Sequence, residues 1–331
     1  MKLVLPMAGY GTRLRPLTWS KPKPLISVAG KPILGHVLEV YAGVQSIDEV
    51  ILIVGYLGEQ IEDFVSRAFP KLRAHYVEQV EMRGQSHALW LAREYLQGPM
   101  LMLFVDTLIE ADLLMLKTEQ AGAVAWVREV DDPRRFGVAE VGDDGWVRRL
   151  VEKPEDSSNN LAVVGFYYFQ QAEDLVSAID EQMARKIHLK NEYYLADAVN
   201  IMLERGLRMR VEHVAVWQDC GKPETLLQTN QYLLERGRDN SKQAAKRDGV
   251  EIVPPVFVDP TANLSHSAIG PNVSIGASCT IERSSIRDSI VEAEAHISDS
   301  SLSASLIGNQ ARVAGYAGSL NVGDSSTVGF A

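Results

Sequence analysis

The sequence predicts an α/β protein whose doubly wound, mostly parallel sheet is followed by a triangular parallel β-helix. Short β-rich apolar runs alternate with longer amphipathic ones up to about residue 230, the pattern of strands crossed over by helices. After Ile252 the chain becomes Ser-rich and Lys-free, with apolar residues recurring every six positions. The length of 331 residues suits one large domain and a smaller one.

Along the first part, Leu3–Leu5, Val50–Val54 and Met100–Val105 read as buried parallel strands. Between them, Ile33–Val44, Gly58–Phe69 and Ser86–Leu96 carry apolar residues at helical spacing. From Trp126 the pattern turns to extended segments, Val124–Val130, Gly137–Val141, Trp146–Glu152 and Leu161–Phe169, with Asp143-Asp144-Gly145 as a hairpin turn. This reads as a β-rich insertion beside a site. A helix-to-strand stretch over Leu195–Val216 and an amphipathic helix from Pro223 follow. In the tail, Ile269, Ile275 and Ile281 repeat in register, as do Val273 and Cys279, and Val291/Ile297 and Ile307/Val313 keep the interval. Six residues per short strand suits one strand on each side of a triangular β-helix. A disordered Ser-rich tail would leave buried-type Ile and Val at fixed spacing unexplained. The expected division is residues 1–235, a charged linker over 236–250, and the β-helix over 251–331.

A formal charge of −10 argues against a dedicated nucleic-acid binder, so a basic site must be local. The two cysteines, Cys220 and Cys279, stand far apart in no metal-ligand spacing, which points to a reducing cytoplasm. No stretch approaches the ~20 apolar residues of a bilayer span, so neither a membrane nor a nucleic acid is an expected partner.

The local basic segment is at the start. Met1–Leu38 contains six Lys or Arg and no Asp or Glu. Within it, Ala8-Gly9-Tyr10-Gly11-Thr12-Arg13-Leu14-Arg15-Pro16 follows the first strand, and Lys21-Pro22-Lys23-Pro24-Leu25 comes shortly after. Glycines let backbone N–H groups approach a phosphate, and the cations compensate its charge. The loop has neither the Gly-Lys-Ser/Thr ending of a P-loop nor the dinucleotide-binding spacing. A second singled-out segment is Gln79-Val80-Glu81-Met82-Arg83-Gly84, whose Gln amide offers one acceptor and two donors. Asp106 follows an apolar strand, where a carboxylate at the sheet's carboxyl edge could hold a metal, and a further aspartate, Asp219, lies in Trp217-Gln218-Asp219-Cys220-Gly221.

The order G-x-G-T-R-L-R-P-L-T, then P-K-P-L, resembles the signature of the sugar nucleotidyltransferases, which include glucose-1-phosphate thymidylyltransferases and their uridylyl and guanylyl relatives. The resemblance continues through Arg135-Phe136-Gly137-Val138, Glu152-Lys153-Pro154, the glycine strand at Gly165, and Asn191–Asp197, covering about two thirds of the chain. It implies a Rossmann-like nucleotide-diphospho-sugar transferase fold, and for this long form a left-handed β-helix. It also implies Mg²⁺-dependent transfer of a nucleotidyl group from a nucleoside triphosphate to a sugar 1-phosphate, with dTTP or UTP and glucose 1-phosphate as the expected pair. By the same resemblance Ala8, Gly9, Gly11, Thr12 and Arg13 hold the triphosphate, with Arg13 on the leaving pyrophosphate and Lys23 on phosphate. Gln79 and Gly84 take the base; Gly137, Glu152, Lys153 and Gly165 take the sugar phosphate; Asp106 and Asp219 hold the metal. Arg13, Lys23 and Asp106 are the expected catalytic residues. Where the family usually has Gly before this aspartate, the chain has Val105. Guanylyl transfer to mannose 1-phosphate, a non-catalytic regulatory relative, and a bifunctional enzyme with an acyltransferase tail are the alternative readings; His266 and His296 have no evident partner loops for the last. A homo-oligomer is expected from the β-helix's exposed faces and ends.

Overall fold

A computed structural model describes residues 1–41, 44, 47–247 and 249–329. The chain packs as two units, Met1–Gly9 with Val37–Trp217, and Tyr10–His36 with Gln218–Ala331.

The first unit is built on a nine-stranded sheet. Its strands are β1 (Lys2–Pro6), β2 (Glu49–Val54), β3 (Ala74–Glu78), β4 (Met100–Leu103), β5 (Ala123–Glu129), β6 (Gly137–Val141), β7 (Val147–Glu152), β8 (Leu161–Phe169) and β9 (Met209–His213). They run in the order β7-β6-β8-β4-β1-β2-β3, with β5 joining β8 to β9. Parallel β1, β2, β3 and β4 form the doubly wound part, and β8 lies antiparallel to β4 and joins the β-rich insertion to it. Leu3, Val4 and Leu5 are wholly buried because β1 is central and covered on both faces. Helices Gly58–Ala68, Gln85–Leu91, Ala172–Ala184 and Leu195–Glu204 flank the sheet, and no helix among the described residues is long and apolar enough to cross a membrane.

Several boundaries differ from the sequence reading. Strand β3 was not anticipated, because Ala74-His75-Tyr76-Val77-Glu78 mixes polar and apolar residues; among the described residues it is a partly exposed edge strand paired with β2 alone. The helix Ala172–Ala184 was also missed, although Leu175, Ala178 and Ile179 are buried at helical spacing. The helix expected over Ile33–Val44 is observed as Ile33–Tyr41, and residues 42 and 43 lie outside the described residues. The helix expected over Ser86–Leu96 stops at Leu91 and gives way to a 3₁₀ turn at Arg93–Tyr95, and the strand from Met100 stops at Leu103, which puts Asp106 on the turn beyond it.

The second unit contains three five-stranded parallel sheets stacked coil on coil, the arrangement of the expected left-handed β-helix. Ile269, Ile275 and Ile281 sit on successive sides with no exposure. Coils are slightly shorter than three sides of six residues: Ile286 lies above Ile269, and Leu302 above Ile286. The corners use residues at positive φ, including His266, Asn272, Ser278 and Arg283. The serines are structural. Ser267, Ser284 and Ser300 each donate to the carbonyl two residues back, and their oxygens accept the N–H groups of Ser284, Ser300 and Tyr316 on the next coil. Ser289 and Ser305 make a second such column. Corner N–H groups that the sheets cannot pair are thus satisfied, which is what burial demands.

Residues 236–250, expected as a linker, include a short helix at Ser241–Ala244 whose Ala244 joins the β-helix core. Asn240 exchanges side-chain hydrogen bonds with the backbone of Val258, covering the edge of the first coil.

Candidate active site

In the second unit, the basic loop turns at Gly11, with φ +61°. A Cβ there would lie 3.0 Å from Thr18 Cγ2 and 3.1 Å from Lys23 Cβ, so a side chain would be both strained and crowded. Thr18 donates to the Gly11 carbonyl at 2.9 Å, and Thr12–Leu14 winds as a 3₁₀ turn that leaves Thr12 and Arg13 exposed. The structure brings Arg13 and Asp219 to one glycine: a Cβ on Gly221 would lie 2.6 Å from Asp219 Oδ1 and 3.2 Å from Arg13 Nη2. The Gly221 N–H also donates to Asp219 Oδ1 at 2.7 Å, fixing that carboxylate's direction.

In the first unit, Ala8 is buried against Gly55, and Gly9 is exposed with no atom within 4 Å of where its Cβ would be. Packing therefore does not require glycine at 9. Gly84, by contrast, has φ +94°, and its missing Cβ makes room for the Tyr193 backbone at 2.6 Å. Buried Gln79 donates its amide to the Gly84 carbonyl at 3.1 Å, and the same nitrogen is 3.3 Å from His87 Nδ1. Since a carbonyl can only accept, the Gln79 nitrogen is fixed on that side, and His87 accepts at Nδ1 as a neutral ring. Burial, followed by the Arg83 charge, holds His87 below the ordinary imidazole pKa, in agreement. His87 has a definite task here: it orients Gln79.

Asp106 stands half-buried on a turn closed by the Thr107 N–H to the Phe104 carbonyl at 3.1 Å, with Val105 buried beside it. That turn is braced from β8. The Phe104 N–H donates to the Gly165 carbonyl at 3.0 Å, and a Cβ on Gly165 would be 2.6 Å from the Phe104 ring. The geometry thus gives Gly165, expected at the sugar phosphate, a bracing contact with Asp106's turn.

Glu152 ends β7 opposite Gly137 on β6, close enough that a Gly137 Cβ would be 3.2 Å from Glu152 Oε2. Lys153 Nζ lies 3.8 Å from Glu152 and donates to the Tyr194 hydroxyl at 3.1 Å, above that ring. Burial opposes the Lys153 charge, but Tyr194, Glu152 and Glu192 outweigh it and hold the ammonium above its usual pKa. Burial raises the Glu152 carboxyl, Lys153 opposing and Asp197 and Glu192 adding to the rise. A backbone, a carboxylate and a fixed ammonium therefore converge on one patch. Tyr194 is the member the sequence reading did not single out; its only signal was the segment Asn191–Asp197.

A family profile described as "Nucleotidyl transferase" matches residues 2–236. The chain belongs to this family. Every expected site residue from Ala8 to Asp219 falls inside the match. The chain is 30% identical to the Haloferax volcanii low-salt glycan biosynthesis nucleotidyltransferase Agl11, over 95% of this chain and 94% of that one. It is 29% identical to a Streptomyces griseus glucose-1-phosphate thymidylyltransferase over 95% and 93%. Against the bifunctional protein GlmU of Methanocaldococcus jannaschii it is 35% identical over 71% of this chain, but it spans only 55%, about half, of that relative. The fold is that of a solved UDP-glucose pyrophosphorylase complexed with UDP-glucose, with a TM-score of 0.63 at 24% identity over 71% of this chain and 98% of that one.

Proposed function

We propose that this family member transfers a nucleotidyl group from a nucleoside triphosphate to a sugar 1-phosphate, releasing pyrophosphate, with glucose 1-phosphate as the favoured acceptor. The observation that carries the reading is the patch of Gly137, Glu152, Lys153 and Tyr194, where a fixed ammonium for a phosphate sits beside a carboxylate for sugar hydroxyls. Gln79 adds a base preference. With its nitrogen committed to Gly84 and His87, its carbonyl oxygen is the end that meets a base, and an acceptor suits the imide N–H of thymine or uracil. The ring nitrogens of cytosine and adenine at that edge are acceptors and would be repelled, whereas the N1–H of guanine would also be accepted; Gln79 thus disfavours CTP and ATP, and dTTP or UTP is the favoured donor on the motif resemblance.

In the reaction, an already ionised oxygen of the sugar phosphate attacks the α-phosphorus. The bond to the β-phosphate oxygen breaks, and pyrophosphate leaves with the electron pair. Such transfer depends on positioning and electrostatics. Gly9 and Gly11 let the backbone approach the phosphates, Thr12 and Lys23 hold them, Arg13 takes up charge on the departing pyrophosphate, and Lys153 aligns the nucleophile. The donors at Asp106 and Asp219 are hard carboxylate oxygens, and no group of three or more potential ligands forms a closed cage among the described residues. Carboxylate oxygens are the donors Mg²⁺ takes, one or two of them together with phosphate oxygens and water. Bound there, the ion would neutralise phosphate charge; Asp106 and Asp219 are its proposed ligands. Residues 1–235 carry the chemistry in this reading, in the cytoplasm.

The test is pyrophosphate release with Mg²⁺, offering dTTP, UTP, GTP, CTP and ATP against glucose, mannose and N-acetylglucosamine 1-phosphates. Release that needs both substrates, with dTTP or UTP ahead of CTP and ATP, is expected. No release with any pair would overturn the reading.

A further inference from the structure

The basic loop Tyr10–His36 does not stand alone; it belongs to the same compact unit as the β-helix. Glu292, on the second sheet's side of a middle coil, is 5% exposed, although carboxylates are seldom buried without partners. Among the described residues, the hydrogen-bond and ion-pair partners of its carboxylate come from the loop. One oxygen accepts the Ser27 N–H at 2.8 Å; the other accepts the Ser27 hydroxyl at 3.1 Å and lies 3.0 Å from Lys21 Nζ. A second tie lies along the same face. Asn230, wholly buried on the helix Pro223–Leu233, accepts from the Ala29 N–H at 2.8 Å and from Ser274 on the β-helix, and donates to the Asn272 carbonyl. The Gly30 backbone completes the seat, since a Cβ there would lie 2.2 Å from the Phe257 ring.

We infer that Glu292 is a positioning residue for the anion-binding loop: by fixing Lys21 and Ser27, the β-helix sets the conformation in which the loop takes a polyphosphate. Lys21 is two residues from Lys23, so the Glu292 tie acts on the backbone that aims Lys23 and supports Gly11. The assignment of the loop to phosphate rests on the proposed nucleotidyl transfer; the anchoring rests on the geometry alone.

The experiment compares the full-length protein with its Glu292→Ala and Glu292→Gln variants by amide hydrogen exchange and by calorimetric binding of inorganic tripolyphosphate, a probe independent of base and sugar. Glu292→Ala is expected to speed exchange across residues 10–36 at least tenfold and to weaken tripolyphosphate about tenfold, with exchange over 137–165 unchanged. Glu292→Gln keeps an acceptor for Ser27 and is expected to recover most of the loop's protection, which a general loss of folding would not do. A folded Glu292→Ala variant with wild-type loop exchange and wild-type tripolyphosphate affinity overturns the inference. If the wild type releases no pyrophosphate with any substrate pair, the catalytic reading falls, while exchange and tripolyphosphate binding still decide the role of Glu292.

Discussion

In the proposed reaction Arg13 and Lys153 carry positive charge to different reactants, so their loss should separate in the kinetics. Lys153→Ala removes a charge-assisted hydrogen bond, in general about 1.5–3 kcal/mol, and should raise KM for the sugar 1-phosphate roughly 10- to 100-fold with little change for the triphosphate. Arg13→Ala should lower kcat by about 10²–10³ with smaller KM effects, the range for a lost donor at a developing charge. Steady-state pyrophosphate release for both variants checks the split. His87 makes a pH prediction. Its folded pKa is depressed, so the unfolded chain binds more protons below the ordinary histidine value; stability is full above that value and is lost as pH falls through the folded pKa. Thermal unfolding from pH 8 to 5 should show this slope, flattened in His87→Gln. Of these residues, Arg13 and Lys153 could be singled out from sequence because charge in a family motif stands out. The role of His87 could not, because it depends on which end of the Gln79 amide, nitrogen or oxygen, faces it.

Among the elements, the glycine-to-phenylalanine brace and the serine columns are the sharpest cases. Gly165→Ala would put a Cβ against the Phe104 ring at positive φ, and overpacking of this kind commonly costs about 1–3 kcal/mol. A lower urea midpoint with a further drop in kcat is expected, because the turn bearing Asp106 hangs from that contact. In the β-helix, neighbouring serines should behave oppositely. Ser284→Ala strands the buried Ser300 N–H and should cost about 1–3 kcal/mol, whereas Ser285→Ala, on the exposed side, should be almost silent in thermal unfolding. The repeat of Ile269, Ile275 and Ile281 exposed the β-helix in the sequence, since three sides of a coil each need one apolar residue inward. Shortened coils were harder to read, because Ile286 to Val291 and Ile297 to Leu302 span five residues and break the six-residue count. Edge strand β3 left little apolar alternation to read, because it is partly exposed.

At the scale of the molecule, a net charge of −10 coexists with a loop region devoid of acidic residues, and the structure explains how that region is kept in order. The Glu that answers its lysine comes from far along the chain, where a sequence reading that assigns charges to local motifs does not look. For the same reason the tail read as a separate β-helix domain, although it holds the loop through Glu292 and, by way of Asn230, through Ser274 and Asn272. If the inference holds, stripping divalent ions with EDTA should abolish pyrophosphate release while leaving loop exchange unchanged, since the Ser27–Glu292 tie contains no metal.

The tie between Ser27 and Glu292 spans 265 residues, which places it among the most non-local contacts a chain of this length can make. On a ribosome adding about 5–20 residues per second, the loop is made first and waits roughly 13–53 s for its anchor. During that interval a growing chain would hold an assembled strand β1 beside an unanchored phosphate loop. Nucleotide binding should therefore emerge late in synthesis, and stalled chains ending before the Glu292 coil should bind tripolyphosphate poorly even where the nine-stranded sheet is complete.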